Sequence, residues 1–259
     1  MSPSVLIALP VYNEKGHLHE VLDQVVPYGT VLVVDDGSED GTADLLRMRT
    51  DISVVTHEVN RGYGAALKTA FKYALSHQFD LLVTIDCDGQ HEPQRIPEFV
   101  AACTSGVDIV SGSRYLKTLE GNSTPPIERQ KVNIQITEEL NERLGLELTD
   151  AFCGFKVYRT EALKSLCLQE TGYGMPLELW VKAAFAKLTI IERPVPLIYL
   201  DEKRSFGDLL DNSQRRLDYY HEVIDRSLME CSFQAETPCS LLRLANSKTD
   251  PCVPLCPEN

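Results

Sequence analysis

Short apolar segments alternate with amphipathic segments through the first 115 residues of the chain. The apolar segments are rich in β-branched residues and end in turn-forming residues, which is typical of strands. Five are expected: Ser4–Pro10, Thr30–Asp35, Ile52–Thr56, Asp80–Ile85 and Asp108–Ser111. Between them lie segments with apolar positions at helical spacing, most clearly Gly62–His77. Strands that alternate with helices predict βαβ units and therefore an α/β domain with a mostly parallel sheet.

The pattern changes after Tyr115, where the polar segment Lys117–Pro126 predicts a long loop. The remaining elements are expected to be helices at Ile127–Leu144, Pro176–Lys187 and Leu209–Met229, a strand at Phe152–Tyr158 and an edge strand at Thr189–Ile198. We therefore expect one domain over residues 1–229, built from a first part, 1–115, and a second part, 116–229. Residues 230–259 contain several cysteines and prolines and are expected to form a weakly ordered tail.

Polar residues follow three of the predicted strands, in the segments Pro10–Glu14, Asp35–Asp36 and Asp86–His91. The carboxyl ends of parallel strands meet at one edge of a sheet, and α/β sheets bind their ligands there. These three segments are therefore expected to line one site.

Two aspartates with one residue between them, Asp86 and Asp88, follow the fourth strand. Carboxylate oxygens are the ligands that Mg²⁺ and Mn²⁺ prefer, and Gln90 could add an amide oxygen. Aspartate and glycine also favour tight turns, so this spacing by itself also fits a turn without a metal.

The segment around Asp35 and Asp36 allows two interpretations. One aspartate could accept hydrogen bonds from a base or a ribose, as acidic residues at strand ends do in nucleotide sites. The other interpretation is a cap for the following helix. The glycines of Asn60–Gly64 could bring backbone N–H groups to a diphosphate, or could simply relax a loop.

The composition restricts the class of protein. Of the 259 residues, 43% are hydrophobic and 24% are charged, which is typical of soluble globular proteins. The net charge of −13 argues against nucleic acid as a partner, because phosphates demand a basic surface. The N-terminal segment has no basic region before its short apolar run, and no apolar run reaches the roughly 20 residues of a membrane span. We therefore expect a cytoplasmic location.

Several motifs in order resemble those of family 2 glycosyltransferases, and most closely those of dolichyl- or polyprenyl-phosphate mannose and glucose synthases. The matching segments are PVYNE, VVDDGSEDGT, NRGYGAALKTAF, DCDGQH, SGSRY and TDAFCGFKVYR. The resemblance implies a GT-A fold, in which a Rossmann-like nucleotide-sugar half, residues 1–115, joins an acceptor half, residues 116–229.

The resemblance also implies roles for individual residues. The residues expected to hold the nucleoside are Pro10, Tyr12, Glu14, Val34 and Asp36. Those expected at the donor diphosphate and its Mg²⁺ or Mn²⁺ ion are Asp86, Cys87, Asp88 and Gln90, with Asp86, Asp88 and Gln90 as metal ligands. Arg114 is expected near the donor phosphates, and Arg129 at the acceptor phosphate. Arg204 keeps the arginine of a C-terminal donor-binding segment, whose usual lysine is absent here.

The activity implied by the resemblance is a metal-dependent, inverting transfer of a hexose from GDP-mannose or UDP-glucose to a polyprenyl or dolichyl phosphate. Asp88, Arg114 and Arg129 would then be catalytic. If the acceptor is instead a hydroxyl of a glycan, a lipid or a small molecule, a carboxylate must accept its proton, and Glu178 and Asp150 are the candidates. A third possibility is a nucleotide-sugar-binding subunit without turnover. A prenyl-phosphate acceptor would imply peripheral association with the cytoplasmic membrane face, or a membrane partner subunit.

Overall fold

A computed structural model describes residues 2–200 and 210–236 of the chain. Its centre is one seven-stranded sheet. The strands are β1 (Val5–Val11), β2 (Thr30–Asp35), β3 (Ser53–Thr56), β4 (Leu81–Thr84), β5 (Ile109–Ser113), β6 (Lys156–Arg159) and β7 (Ile190–Pro194). They lie in the order β3-β2-β1-β4-β6-β5-β7.

All strands except β6 run in one direction. β1 pairs in parallel with both β2 and β4, and β5 pairs in parallel with β7. β6 is antiparallel to its two neighbours, β4 and β5. Because β6 is reversed, the turn that precedes it lies at the same edge of the sheet as the carboxyl ends of the parallel strands.

Helices cover both faces of the sheet. They are α1 (Leu18–Val25), α2 (Thr42–Arg47), α3 (Tyr63–Ser76), α4 (Ile96–Ala102), α5 (Ile127–Leu144), α6 (Thr160–Leu163), α7 (Met175–Phe185) and α8 (Ser213–Glu236). Side chains of a strand point alternately to its two faces. Along β1, Leu6 and Ala8 accordingly belong to the core under α3, α5, α7 and α8, whereas Ile7 and Leu9 belong to the core under α1 and α4.

The predicted elements are all present, with shifted ends. β6 begins at Lys156 instead of Phe152, because the residues before it form a turn at the edge of the sheet. The helix predicted to end at Met229 continues to Glu236, and Cys231 on it is buried. The first residues of the expected tail are therefore helical, and residues 237–259 lie outside the described residues.

No helix in the described ranges 2–200 and 210–236 combines the length and the apolar character that crossing a bilayer requires.

Candidate active site

A cavity of about 500 Å³ opens at the edge of the sheet where the parallel strands end. Most of the residues that the sequence predicted for the site line this cavity: Pro10, Tyr12, Glu14, Asp36, Asp86, Cys87, Asp88, Gln90, Arg114 and Arg129. They come from the ends of β1, β2, β4 and β5 and from the start of α5. The expected convergence of the strand ends on one site is therefore found.

Among the described residues, the predicted Val34, Asp150 and Glu178 do not line the cavity. The side chain of Val34 is fully buried and packs in the core under α3. Glu178 is also buried, and its carboxylate accepts hydrogen bonds from the backbone N–H groups of Gln169 and Glu170 at 2.7–3.0 Å. Glu178 therefore does not have the position of a general base; burial raises the pKa of its carboxyl. Arg204 lies outside the described residues.

The two aspartates after β4 occupy a tight turn whose Gly89 has a φ of +72°. Asp88 Oδ1 accepts a hydrogen bond from the backbone N–H of Gln90 at 3.0 Å, which fixes the turn. Asp86 Oδ1 accepts a hydrogen bond from the hydroxyl of Tyr63 at 3.1 Å, and Asp86 Oδ2 lies 3.4 Å from His91 Nε2. Asp86 is thus held by side chains from α3 and from the turn itself.

The donor set of this turn fits Mg²⁺ or Mn²⁺. Asp86, Asp88 and Gln90 bring two carboxylates and an amide oxygen to one wall of the cavity. In the described part of the chain, including this turn, no group of three or more His, Cys, Asp or Glu side chains is arranged to hold a metal ion by itself. A cation held by so few protein oxygens would keep positions open for the phosphates of a substrate, which is the arrangement that Mg²⁺ favours.

Gly154, in the turn before β6, packs directly against the carboxylate of Asp86. A Cβ atom added at this position would overlap both the carboxylate carbon and its oxygens. The backbone carbonyl of Gly154 also accepts a hydrogen bond from the hydroxyl of Thr84 on β4, at 3.0 Å. The turn before the reversed strand therefore forms the floor beneath the Asp86–Asp88 turn.

The buried carboxylate of Asp36 accepts hydrogen bonds from three protein groups. These are the backbone N–H groups of Arg61 and Gly62, at 3.0 and 2.8 Å, and Nδ1 of His57, at 2.6 Å. The other ring nitrogen of His57 lies 2.9 Å from the hydroxyl of Thr69 on α3. Asp36 thus holds the Asn60–Gly64 loop against the end of β2. The Asp35–Asp36 segment and the Asn60–Gly64 loop therefore lie side by side in the cavity wall.

Arg114, which lines the cavity and is partly buried, forms an ion pair with the fully buried Asp150. Arg114 Nε and Nη2 donate to the two carboxylate oxygens of Asp150 at 2.6 and 2.8 Å, and the side-chain amide of Asn133 on α5 donates to Oδ1 at 2.8 Å. Burial by itself would raise the pKa of Asp150, but Arg114 and these hydrogen bonds lower it to about 2. A carboxylate held in this way does not act as a general base at neutral pH.

A second group of cavity residues is rich in arginine and aromatic side chains, and all of its members except Tyr115 come from the second part of the chain. Its members are Arg129, Val132 and Asn133 of α5, Arg216 and Tyr220 of α8, and Tyr115, Phe152, Tyr173, Ile198 and Tyr199. The Arg129 guanidinium lies 5.9 Å from the centre of the Tyr199 ring, and the rings of Phe152 and Tyr220 lie 5.0 Å apart.

Sequence reasoning missed several of these wall residues, notably His91, Asn133, Tyr173, Arg216 and Tyr220. His91 is the last residue of the DCDGQH segment, so the motif itself is the signal that indicates it. Arg216 and Tyr220 lie on an amphipathic helix whose approach to the cavity depends on tertiary packing.

A model of the family described as "Glycosyl transferase family 2" matches residues 6–167, more than half of the chain. The chain belongs to this family. It is a glycosyltransferase, as the order of its motifs predicts.

Two curated relatives illustrate the similarity. Over 220 residues the chain is 32% identical to an undecaprenyl-phosphate mannosyltransferase of Micrococcus luteus. The aligned region covers 80% of this chain and 89% of that protein. Over 203 residues it is 30% identical to a polyprenol monophosphomannose synthase of Mycolicibacterium smegmatis. This aligned region covers 73% of this chain and 76% of that protein.

Solved structures support the fold. Glucosyl-3-phosphoglycerate synthase of Mycobacterium tuberculosis superposes with a TM-score of 0.66 at 22% identity, over 88% of this chain and 80% of that one. Another crystal structure of that enzyme, with a TM-score of 0.64 and 21% identity, is a complex with Mn²⁺, UDP and glucosyl-3-phosphoglycerate, and covers the same shares of the two chains. The expected GT-A fold is confirmed.

Proposed function

We propose that this glycosyltransferase moves a hexose from a nucleotide sugar, GDP-mannose or UDP-glucose, to a polyprenyl or dolichyl phosphate, with inversion at the anomeric carbon. The observation on which this proposal rests is the division of one cavity into two chemically different walls. One wall is acidic and lies at the strand ends, and the other is aromatic and contains arginines.

The acidic wall suits a nucleotide sugar with a divalent cation. Asp86, Asp88 and Gln90 would hold Mg²⁺ or Mn²⁺, which when bound offsets the charge of the donor diphosphate. Arg114, fixed in orientation by Asp150, would lie on the side where the leaving phosphate develops charge. The part of this wall around Pro10, Tyr12 and Asp36 would bind the nucleoside of the donor.

The arginine and aromatic wall suits an acceptor with an anionic head and an apolar chain. Arg129 offers the head a guanidinium, whose planar donors match phosphate oxygens. Phe152, Tyr173, Tyr199 and Tyr220 offer an apolar surface for the first isoprene units. The names of the Micrococcus luteus and Mycolicibacterium smegmatis relatives support an acceptor of this class.

The surroundings of the two candidate general bases, Glu178 and Asp150, also favour a phosphate acceptor over a hydroxyl acceptor. The buried carboxylate of Glu178 accepts hydrogen bonds from the backbone N–H groups of Gln169 and Glu170, and Asp150 is held ionised by Arg114. A phosphate monoester oxygen is already anionic, so it can attack the anomeric carbon without losing a proton. A new carbon–oxygen bond then forms as the bond to the nucleoside diphosphate breaks, and a single displacement inverts the centre. The acceptor's lipid chain would require the protein to work at a membrane surface, for which we propose the cytoplasmic face.

The test is a product analysis with a soluble prenyl phosphate. The purified protein is incubated with GDP-mannose or UDP-glucose, with Mn²⁺ or with EDTA, and with farnesyl phosphate or farnesol. We expect mass spectrometry to find hexosyl farnesyl phosphate from one donor, only with metal, and no product from farnesol. Transfer to farnesol would instead support a hydroxyl acceptor, and donor binding without transfer to either would support a non-catalytic subunit.

Asp88→Asn tests the metal assignment. We expect it to abolish Mn²⁺-dependent donor binding, because it removes one of the two carboxylates of the turn. Asp218→Asn, on the exposed face of α8, is the matched control and should bind the donor like the wild type. Unchanged donor affinity with Mn²⁺ in Asp88→Asn would remove the metal site from the proposal.

A further inference from the structure

His57, the residue that follows β3, is a buried histidine whose link to the cavity runs through another side chain. It is only 6% exposed, and it does not line the cavity itself. Its backbone N–H donates to the carbonyl of Asp35 at 2.8 Å, which continues the pairing of β3 with β2. Its Nδ1 lies 2.6 Å from Oδ1 of Asp36, which does line the cavity. Because an ionised carboxylate only accepts hydrogen bonds, we assign the donated proton to Nδ1.

Thr69 of α3 holds the other side of the His57 ring. Its hydroxyl oxygen lies 2.9 Å from Nε2 of His57 and 3.1 Å from the backbone carbonyl oxygen of Ala65. A hydroxyl has one proton to donate and lone pairs to accept with, so Thr69 can either donate to Nε2 or accept from it. The ring therefore keeps both of its contacts whether or not Nε2 has a proton, and α3 fixes its orientation towards Asp36.

The contacts of Asp36 divide unequally between its two carboxylate oxygens. Oδ1 accepts from Nδ1 of His57 and from the backbone N–H of Arg61, at 2.6 and 3.0 Å. Oδ2 accepts from the backbone N–H of Gly62 at 2.8 Å, and no other described residue donates to it. A carboxylate oxygen has two lone pairs, so those of Oδ1 are both used, whereas Oδ2 keeps one for a further donor.

The backbone beside Asp36 is packed directly against the same loop. Gly37 has a φ of +75°, and a Cβ atom there would lie 2.7 Å from the carbonyl carbon of Val59 and 2.8 Å from the backbone nitrogen of Asn60. The segment 57–62 is thus both hydrogen-bonded to the Asp36 side chain and in close contact with the next residue. The carboxylate therefore cannot turn without moving this loop.

We propose that His57 is a positioning residue of the donor site, which occupies Oδ1 of Asp36 and leaves Oδ2 to accept a hydrogen bond from the nucleoside. This inference rests on the proposed function, in which Asp36 lies at the nucleoside, and deepens it by naming the group that orients Asp36. The partner of Oδ2 would be an N–H of the base or an O–H of the ribose, since a carboxylate oxygen only accepts. Without the His57 N–H, the two backbone N–H groups alone would hold the carboxylate, and Oδ1 would also have a lone pair to offer.

The experiment compares His57→Asn and His57→Gln with the control His77→Gln. The amide nitrogen of asparagine can take the place of Nδ1, and that of glutamine the place of Nε2, so only His57→Asn keeps a donor for Asp36. His77 is the matched control, because it is an exposed histidine at the end of α3. For each variant, four quantities are measured: the Tm, the KM for farnesyl phosphate, the Kd for UDP-glucose or GDP-mannose with Mn²⁺, and the Kd for UMP or GMP with EDTA.

We expect His57→Gln to weaken the binding of the nucleotide sugar and of the nucleoside monophosphate by about 3- to 10-fold, the size of one lost hydrogen bond. The factor should be the same with and without metal, because Asp36 would contact the nucleoside and not the cation. His57→Asn should bind both ligands within about twofold of the wild type, and the KM for farnesyl phosphate should change by less than about twofold in every variant. His77→Gln should match the wild type.

The outcomes separate this inference from the proposed function. If the wild type binds neither nucleotide sugar, or binds one without transfer to farnesyl phosphate, the proposed function fails. If the wild type binds a nucleotide sugar and folded His57→Gln binds it equally well, or if His57→Asn loses as much affinity as His57→Gln, the role of His57 is overturned. A loss confined to binding with Mn²⁺ also overturns it, because the effect would then lie at the cation.

A third variant covers the case in which a His57 substitution does not fold. Thr69→Val removes the second contact of the ring and keeps the shape of the side chain. Weaker binding of both the nucleotide sugar and the nucleoside monophosphate in Thr69→Val would support the role of His57. Wild-type affinity for both ligands would overturn it.

Discussion

Arg114 and Asp150 meet through two parallel hydrogen bonds, and the backbone N–H of Arg114 adds a third at 3.1 Å. The pair joins the end of β5 to the turn that leads into β6, and through Asn133 it reaches α5. The carboxylate thus orients the arginine at the cavity and ties together the end of β5, the turn before β6 and helix α5.

Asp150→Asn tests this pair. We expect it to lower the free energy of unfolding by about 3 kcal/mol at pH 6, because it leaves the partly buried guanidinium of Arg114 without its counter-charge. The folded-state pKa of Asp150, about 2, lies below its ordinary value of 3.8, so its ionisation stabilises the fold above pH 3.8 and stops doing so as the pH falls towards 2. The difference between wild type and variant should therefore be smaller at pH 3 than at pH 6, by about 1 kcal/mol.

Urea unfolding followed by circular dichroism at the two pH values measures this difference. Asp44→Asn, which changes an exposed aspartate beside Arg47, is the control and should show little effect at either pH. A difference that grows towards pH 3 would contradict the assigned direction of the pKa shift.

Gly154→Ala should disable the Asp86–Asp88 turn. The added methyl group would overlap the Asp86 carboxylate, which must then move away from its position in the cavity. We expect donor binding with Mn²⁺, measured by isothermal titration, to weaken by at least about tenfold, since a lost charge-assisted contact has this size. Gly16→Ala is the control, because nothing lies within 4 Å of a Cβ atom there. Wild-type affinity in Gly154→Ala would show that the position of Asp86 does not matter for the donor.

Tyr63→Phe should weaken the donor site more mildly. It removes the hydroxyl that donates to Asp86 Oδ1 and leaves the ring stacked on Tyr173. We expect a loss of about 2- to 13-fold in Mn²⁺-dependent donor affinity, which corresponds to the net contribution of one hydrogen bond, about 0.5–1.5 kcal/mol. Tyr73→Phe, on the same helix, loses a hydroxyl contact to Ser53 instead and should bind the donor normally. Equal effects of the two substitutions would exclude a specific role for Tyr63.

Glu230→Gln tests whether the end of α8 is structural. Glu230 pairs with the buried ammonium group of Lys182 on α7 at 2.6 Å, so its neutralisation leaves that charge without a full counter-charge. We expect the free energy of unfolding to fall by about 1–3 kcal/mol. Glu161→Gln, which alters the exposed pair with Lys164, should cost less than about 0.5 kcal/mol. If urea unfolding finds the same loss of unfolding free energy in both variants, the Lys182–Glu230 pair stabilises the fold no more than an exposed surface pair does.

The parallel strands and their site could be predicted because each signal is local. The Asp86–Asp88 turn, for example, directly follows an apolar strand, and the direction of the chain places it at the carboxyl edge. The reversal of β6 could not be predicted, because an apolar run has the same pattern in either direction. Neither could Arg216, whose side chain reaches the cavity only through the packing of α8 against α5 and α7.

The place of β6 between β4 and β5 has a consequence for how the chain folds during synthesis. β4 and β5 are complete by residue 113, but the edge that each strand presents to β6 stays unpaired until residues 156–159 have been made. During that interval the nascent chain presents two strands with unpaired backbone edges, and such edges invite pairing with other chains. A fragment that ends before Lys156 would keep those edges permanently, so it should aggregate instead of folding as a smaller nucleotide-binding unit.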